Sequence, residues 1–336
     1  MFKTIFWNST QRRLRTGWRI AIHSVFMGVL LASLTFFDLL VRFLLTAFSP
    51  GRGDIISEMT IGHNASLPIE TLVAALVSIW LASRFLDRRS HPLTDLGFHF
   101  SGTWWADLGF GLALGAVLMT GIFLVERAMG WMTITGTFYA TKSFIGDLLV
   151  MILTFISVGI YEELLVRGYW LKNLAEGLNI RRVGPIGAVC LAGLFTAILF
   201  GVLHMGNPNA TWVSTAALMA AGVLFAVAYT LTGELAIPIG LHITWNFFQN
   251  TVYGFPVSGI DTTVSFVRIH QGGPALWTGG AFGPEAGLVG LGAISIGLLL
   301  TLVWIRMRHG SLRIRKELAI YPRKCEFEAN AEMEAK

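Results

Sequence analysis

Residues 155–174 read FISVGIYEELLVRGYWLKNL. The stretch is apolar enough and long enough to be a buried helix, yet Glu162, Glu163 and Arg167 sit in its middle. A bilayer-spanning helix needs about 20 mainly apolar residues. Ionisable groups placed in hydrocarbon are costly and collect where function needs them. Outward from this stretch the same apolar pattern recurs. Eight candidate spans appear, at 18–47, 67–86, 105–125, 144–166, 186–204, 212–231, 235–253 and 286–305.

Composition agrees. Hydrophobic residues make up 54% of the 336, and only 13% are charged. That is about half the usual charged share of a soluble domain, so a soluble fold would expose large apolar areas. An ordinary soluble enzyme, a disordered chain and a secreted disulfide scaffold are excluded. The expected fold class is all-α, a polytopic integral membrane protein of about eight transmembrane helices around a polar intramembrane cavity. Cys190 and Cys325 show no metal or redox spacing and read as unpaired thiols. Nucleic acid is not an expected partner, because the basic residues follow topology.

An even number of spans puts both ends on one side. The loops on that side carry 19 Lys and Arg, against four in the loops on the other. The positive-inside rule then makes both termini cytoplasmic. The domain reading is a basic segment 1–17, a membrane domain 18–306 and a charged tail 307–336. Within the first span Asp38 and Arg42, four apart, are expected to neutralise each other. Trp104 and Trp105 read as an interfacial belt. Gly109, Gly111 and Gly115, with Gly287, Gly290, Gly292 and Gly297, are expected to permit close helix approach. The segment 254–285 reads as an extracytoplasmic loop, placed to cap the cavity from outside, with Arg268 and His270 solvated.

Polar residues within the spans concentrate in the fourth to seventh. Adjacent helical residues point about 100° apart, so Glu162 and Glu163 face differently. Arg167, four after Glu163, is in the favourable order for an ion pair. This assigns Glu163 and Arg167 to structure and Glu162 to chemistry. The fifth span ends with Phe200 and His204, and the seventh carries His242 and Asn246, each pair four apart and sharing a face. Glu162 suits a general base that deprotonates water, with His204 holding that water. His242 and Asn246 suit donors to a developing oxyanion. The same atoms offer a second reading, a zinc site of Glu162, His204 and His242 with an open water position. The depths of Glu162 and His204 do not match if the fifth span begins near 186. The sequence therefore predicts that 178–192 is interfacial, that the span starts near Gly193, and that Asn207-Pro208 breaks it.

The motifs EExxxR (Glu162, Glu163, Arg167), FxxxH (Phe200, His204) and HxxxN (His242, Asn246), in that order on successive spans, resemble the CPBP family. Its members are membrane-embedded CAAX prenyl proteases and bacteriocin-processing proteins, also called the Abi family. The resemblance covers about 144–250. It implies an intramembrane peptidase acting near the end of a membrane-associated, in some members prenylated, substrate. It also implies water activation at Glu162 and His204, with an oxyanion site at His242 and Asn246. The compact chain has bacterial character, so a bacterial cell membrane is the expected location. The competing readings are a non-catalytic scaffold or immunity protein and a proton-coupled transporter. HExxH and GxSxG are both missing from the sequence.

Overall fold

The computed structural model describes residues 5–9, 11–47, 55–141, 143–261 and 263–321. The principal helices are α1 (Thr16–Ala47), α2 (Ile55–Leu81), α3 (Gly102–Ala128), α4 (Phe144–Glu163), α5 (Gly184–Leu203), α6 (Trp212–Thr232), α7 (Ala236–Phe247) and α8 (Leu288–His309). The chain is thus an all-α polytopic membrane protein. Local sequence sets the helix ends. Thr211 and Ser214 cap α6 reciprocally, Pro185 fits the first turn of α5, and Gly233, with φ 78°, closes α6 in the left-handed region.

Among the described residues seven helical segments are long and apolar enough to cross a membrane. The expected span at 235–253 is the shorter one. There α7 continues through π-helical turns at Phe248–Val252, giving roughly 26 Å at 1.5 Å per residue. It still passes through the bundle. The Arg13 guanidinium lies 3.5 Å over the Tyr321 ring, and Tyr321 Oη donates to Arg88 O. The segments that hold Arg13, Arg88 and Tyr321 therefore meet at one end of the bundle.

Two boundaries and one burial differ from the sequence reading. The fourth span does not stop at 166, because α4 continues through π-helical turns at Leu164–Leu171 into Lys172–Leu178. Its polar end is stabilised by a buried ion cluster. Glu176 accepts from Arg13 at 2.7 Å and Arg89 at 2.8 Å, and Asp87 accepts from Arg19 at 2.7 Å. Asn173 bonds both Asp87 and Arg19. Burial pulls the Arg13 guanidinium below its ordinary value. Burial also opposes the charge on Arg89, but Glu176 and Asp87 overcome it and hold that group above its ordinary value. Second, α5 begins at Gly184, not near Gly193, and 184–203 is one uninterrupted helix. Its high apolar content needs no interfacial segment; His204 forms its C-cap, and a turn follows through Asn207 and Pro208. Third, Trp104 is buried, donating Nε1–H to Gly97 O, while Trp105 is exposed as a belt residue would be.

The loop reading of 254–285 also misses a strand. β1 (Met132–Ala140) and β2 (Val264–Gln271) pair antiparallel, from Met132 opposite Gln271 to Ala140 opposite Val264. Both segments are rich in β-branched and aromatic residues, which favour extended backbone. This two-stranded ladder lies at the end of the bundle away from the termini. Arg268 and His270 are exposed on it.

Helix α7 is held against α3 by glycine. A Cβ on Gly111 would lie 2.5 Å from Ile237 O, and one on Gly240 would lie 2.5 Å from Leu108 O. Gly109 and Gly292 face open space instead, so only part of the expected glycine set serves packing. Asp38 and Arg42 pair at 2.7 Å as expected. Cys190 is a free, exposed thiol, and Cys325 lies outside the described residues.

Candidate active site

Helix α4 carries Glu162 and Glu163 in its last α-turn, immediately before the π-helical stretch. Such widened turns occur often at functional sites. Arg167 Nη1 lies 3.0 Å from Glu163 Oε1, both side chains being fully buried. Its Nη2 donates to Gly222 O of α6 at 3.3 Å. The guanidinium also rests 4.5 Å from the Phe200 ring centre and 4.9 Å from that of Phe225. The expected Glu163–Arg167 pair is therefore present and anchored on two further helices.

His242 adds something the spacing did not reveal. Its Nδ1 lies 2.8 Å from Glu163 Oε1, the oxygen that Arg167 also meets. A carboxylate paired with arginine only accepts, so Nδ1 carries the proton. The other ring nitrogen, Nε2, lies 3.9 Å from Glu162 Oε2. That is too long for a direct hydrogen bond. His204 shows the same tautomer, with Nδ1–H donating to Phe200 O at 2.7 Å, one turn back at the end of α5. The last carbonyls of a helix lack internal partners, so this bond satisfies one of them and orients the ring. Its Nε2 remains an acceptor.

Glu162, His204, His242 and Asn246 all line one cavity of about 920 Å³. Its walls are mostly apolar, with Met151, Phe155, Leu203, Leu224 and Ile294 among them. Glu162 keeps 19% of its side-chain exposure there, and Tyr161 Oη donates to its Oε1 at 3.4 Å. Among the described residues Asn246 makes no side-chain hydrogen bond, so its amide is available to a ligand. Phe200 touches both His204 and His242 with its ring, at 4.8 Å and 6.1 Å between centres.

Two residues near these groups escaped the sequence reading. Phe225 stacks on His242, at 5.2 Å and 18° between planes; nothing in the α6 sequence distinguishes it from a packing aromatic. Glu285, just before α8, also lines the cavity. It is buried, accepts from Ser258 N at 2.6 Å, and is bonded by Gln249 Nε2. Burial pushes its carboxyl up to about 7. Its isolated position between Pro and Ala in a loop carried no signal.

The alternative reading of these atoms is a zinc site of Glu162, His204 and His242. Among the described residues no group of three or more His, Cys, Asp or Glu stands placed to hold a metal ion.

Carboxylates, imidazoles and an amide thus gather around one mostly apolar cavity inside an all-helical membrane bundle. Residues 144–248 match the family model for type II CAAX prenyl endopeptidase Rce1-like proteins. The chain carries an Rce1-like domain of the CAAX protease family over that segment, which holds all three motifs. That family is one of peptidases acting on membrane-associated substrates. No curated protein matches the chain, and no solved structure does.

Proposed function

We propose that this protein is a membrane-embedded endopeptidase that hydrolyses a peptide bond in a membrane-associated substrate with water activated by Glu162 and His204. The observation that carries the reading is that each imidazole turns Nδ1 to a fixed oxygen, His204 to Phe200 O and His242 to Glu163 Oε1, leaving Nε2 of each for the shared cavity.

Water donates to Glu162 and to His204 Nε2. Glu162 takes one proton as the oxygen attacks the substrate carbonyl. The oxyanion forms beside Asn246 Nδ2–H and the imidazole of His242. Glu162 then passes its proton to the leaving amine as the C–N bond breaks. Glu163 and Arg167 act as positioning residues.

The excess of Lys and Arg in the loops on the side of the termini supports a cytoplasmic location for both. Purified protein in detergent, assayed against membrane-anchored peptides beside Glu162→Gln, tests the reading. Cleavage by the wild type alone is expected; equal cleavage by the variant contradicts the mechanism.

A further inference from the structure

The cavity reaches only one end of the bundle. Its rim is formed by Thr141 and Asp147 near the start of α4, Pro208 after α5, and Asp261 and Thr263 before β2. All of these belong to the end opposite Arg13 and Tyr321. The loops packed around Arg13 and Tyr321 contribute no lining residue. The rim is also exposed, including Thr141, Pro208, Asp261 and Thr263.

The charge of the lining is one-sided. Asp147, Glu162, Asp261 and Glu285 line the cavity, and among the described residues no Lys or Arg does. Arg167, the cation nearest the site, is fully buried behind Glu163. A cleft of low-dielectric walls focuses the field of its charges on whatever enters. Charges of one sign admit a partner of the opposite sign and reject a like one. Among the described residues an acidic flank or a free terminal carboxylate meets no Lys or Arg in the lining. A basic flank finds Asp261, which makes no side-chain bond among the described residues, at the mouth.

Resting on the hydrolytic reading above for its chemistry, the geometry points to a substrate class: an apolar peptide segment with a basic flank, delivered from the face opposite both termini. The apolar part occupies the walls between α4, α5 and α7. The basic part stays at the rim, in water.

The test uses the full chain carrying Glu162→Gln in sealed vesicles, sorted by whether the C-terminal tail is accessible outside. Membrane-impermeant peptides sharing one apolar segment, flanked by lysines or by glutamates, are added outside and their Kd measured. The lysine peptide is expected to bind only vesicles with tails inside, roughly ten-fold tighter than the glutamate peptide. Asp261→Asn is expected to shrink that ratio. Equal binding of the two peptides, binding confined to tail-out vesicles, or no binding at all overturns the inference. Wild-type protein that binds the lysine peptide without cutting it overturns the hydrolytic reading and leaves this one standing.

Discussion

His242 Nδ1 and Glu163 Oε1 lie 2.8 Å apart, and that same oxygen meets Arg167 Nη1 at 3.0 Å. One carboxylate oxygen thus fixes the imidazole of α7 and the guanidinium of α4 together. Glu163 selects which histidine nitrogen faces the cavity, while its neighbour Glu162 remains part-exposed to receive water. The adjacent pair divides into one residue that orients and one that reacts, and the π-helical turn that follows provides the space for both.

Removing Glu163 leaves Arg167 buried without its charge partner. Breaking a buried pair from one side costs about 3–5 kcal/mol. Glu163→Ala is expected to lower the thermal midpoint by several degrees in detergent and to abolish cleavage. Glu163→Gln keeps the shape and accepts one hydrogen bond, so a smaller fall in midpoint is expected. Thermal unfolding of the two variants side by side checks the order.

The α3–α7 contact has no room for a side chain at Gly111 or Gly240, where an added Cβ meets backbone carbonyls. Overpacking of that kind costs about 1–3 kcal/mol or more. Gly240→Ala is expected to destabilise the protein and shift His242, whereas Gly109→Ala, in open space, is expected to be neutral. Comparing their unfolding midpoints tests the packing.

Glu285 gives a pH dependence. Burial raises its carboxyl from 4.5 to about 7. A raised acid favours the protonated folded form. Its stabilising share is complete below pH 4.5 and is lost as pH rises through about 7, a change of about 3 kcal/mol by linkage. The segment it holds also ties to the turn after His204, since Ser258 O accepts from Asn207 Nδ2 at 3.1 Å. Midpoints measured from pH 5 to 8 are expected to fall, and Glu285→Gln is expected to flatten that part of the curve.

The ion cluster at the other end joins the N-terminal segment to α4. Glu176→Gln removes the acceptor charge of Arg13 and Arg89 together. Faster proteolysis of the N-terminal segment is expected, read by mass spectrometry, with the cavity residues unchanged.

The apolar runs made the spans legible, because bilayer thickness sets their length and four-residue spacing puts Phe200 beside His204 on one helix. The three motifs likewise named Glu162, His204, His242 and Asn246, which line the cavity together. What the chain order hid are contacts made through space. Phe225 reaches His242 from α6, Glu285 reaches the cavity from a loop, and Glu176 draws three arginines from separate segments. That last cluster explains the misplaced end of α4, since its polar residues look like a helix terminus until their partners are known. The β1–β2 ladder was hidden for the same reason, its strands lying 124 residues apart at their nearest ends.

The most direct test of the account is cleavage of a membrane-anchored peptide by purified protein, wild type beside Glu162→Gln, with folding of both checked by thermal midpoint. The account predicts a fall in rate on the order of 10²–10⁴-fold for a missing general base, at an unchanged midpoint. Cleavage at the wild-type rate by a folded Glu162→Gln protein would contradict it.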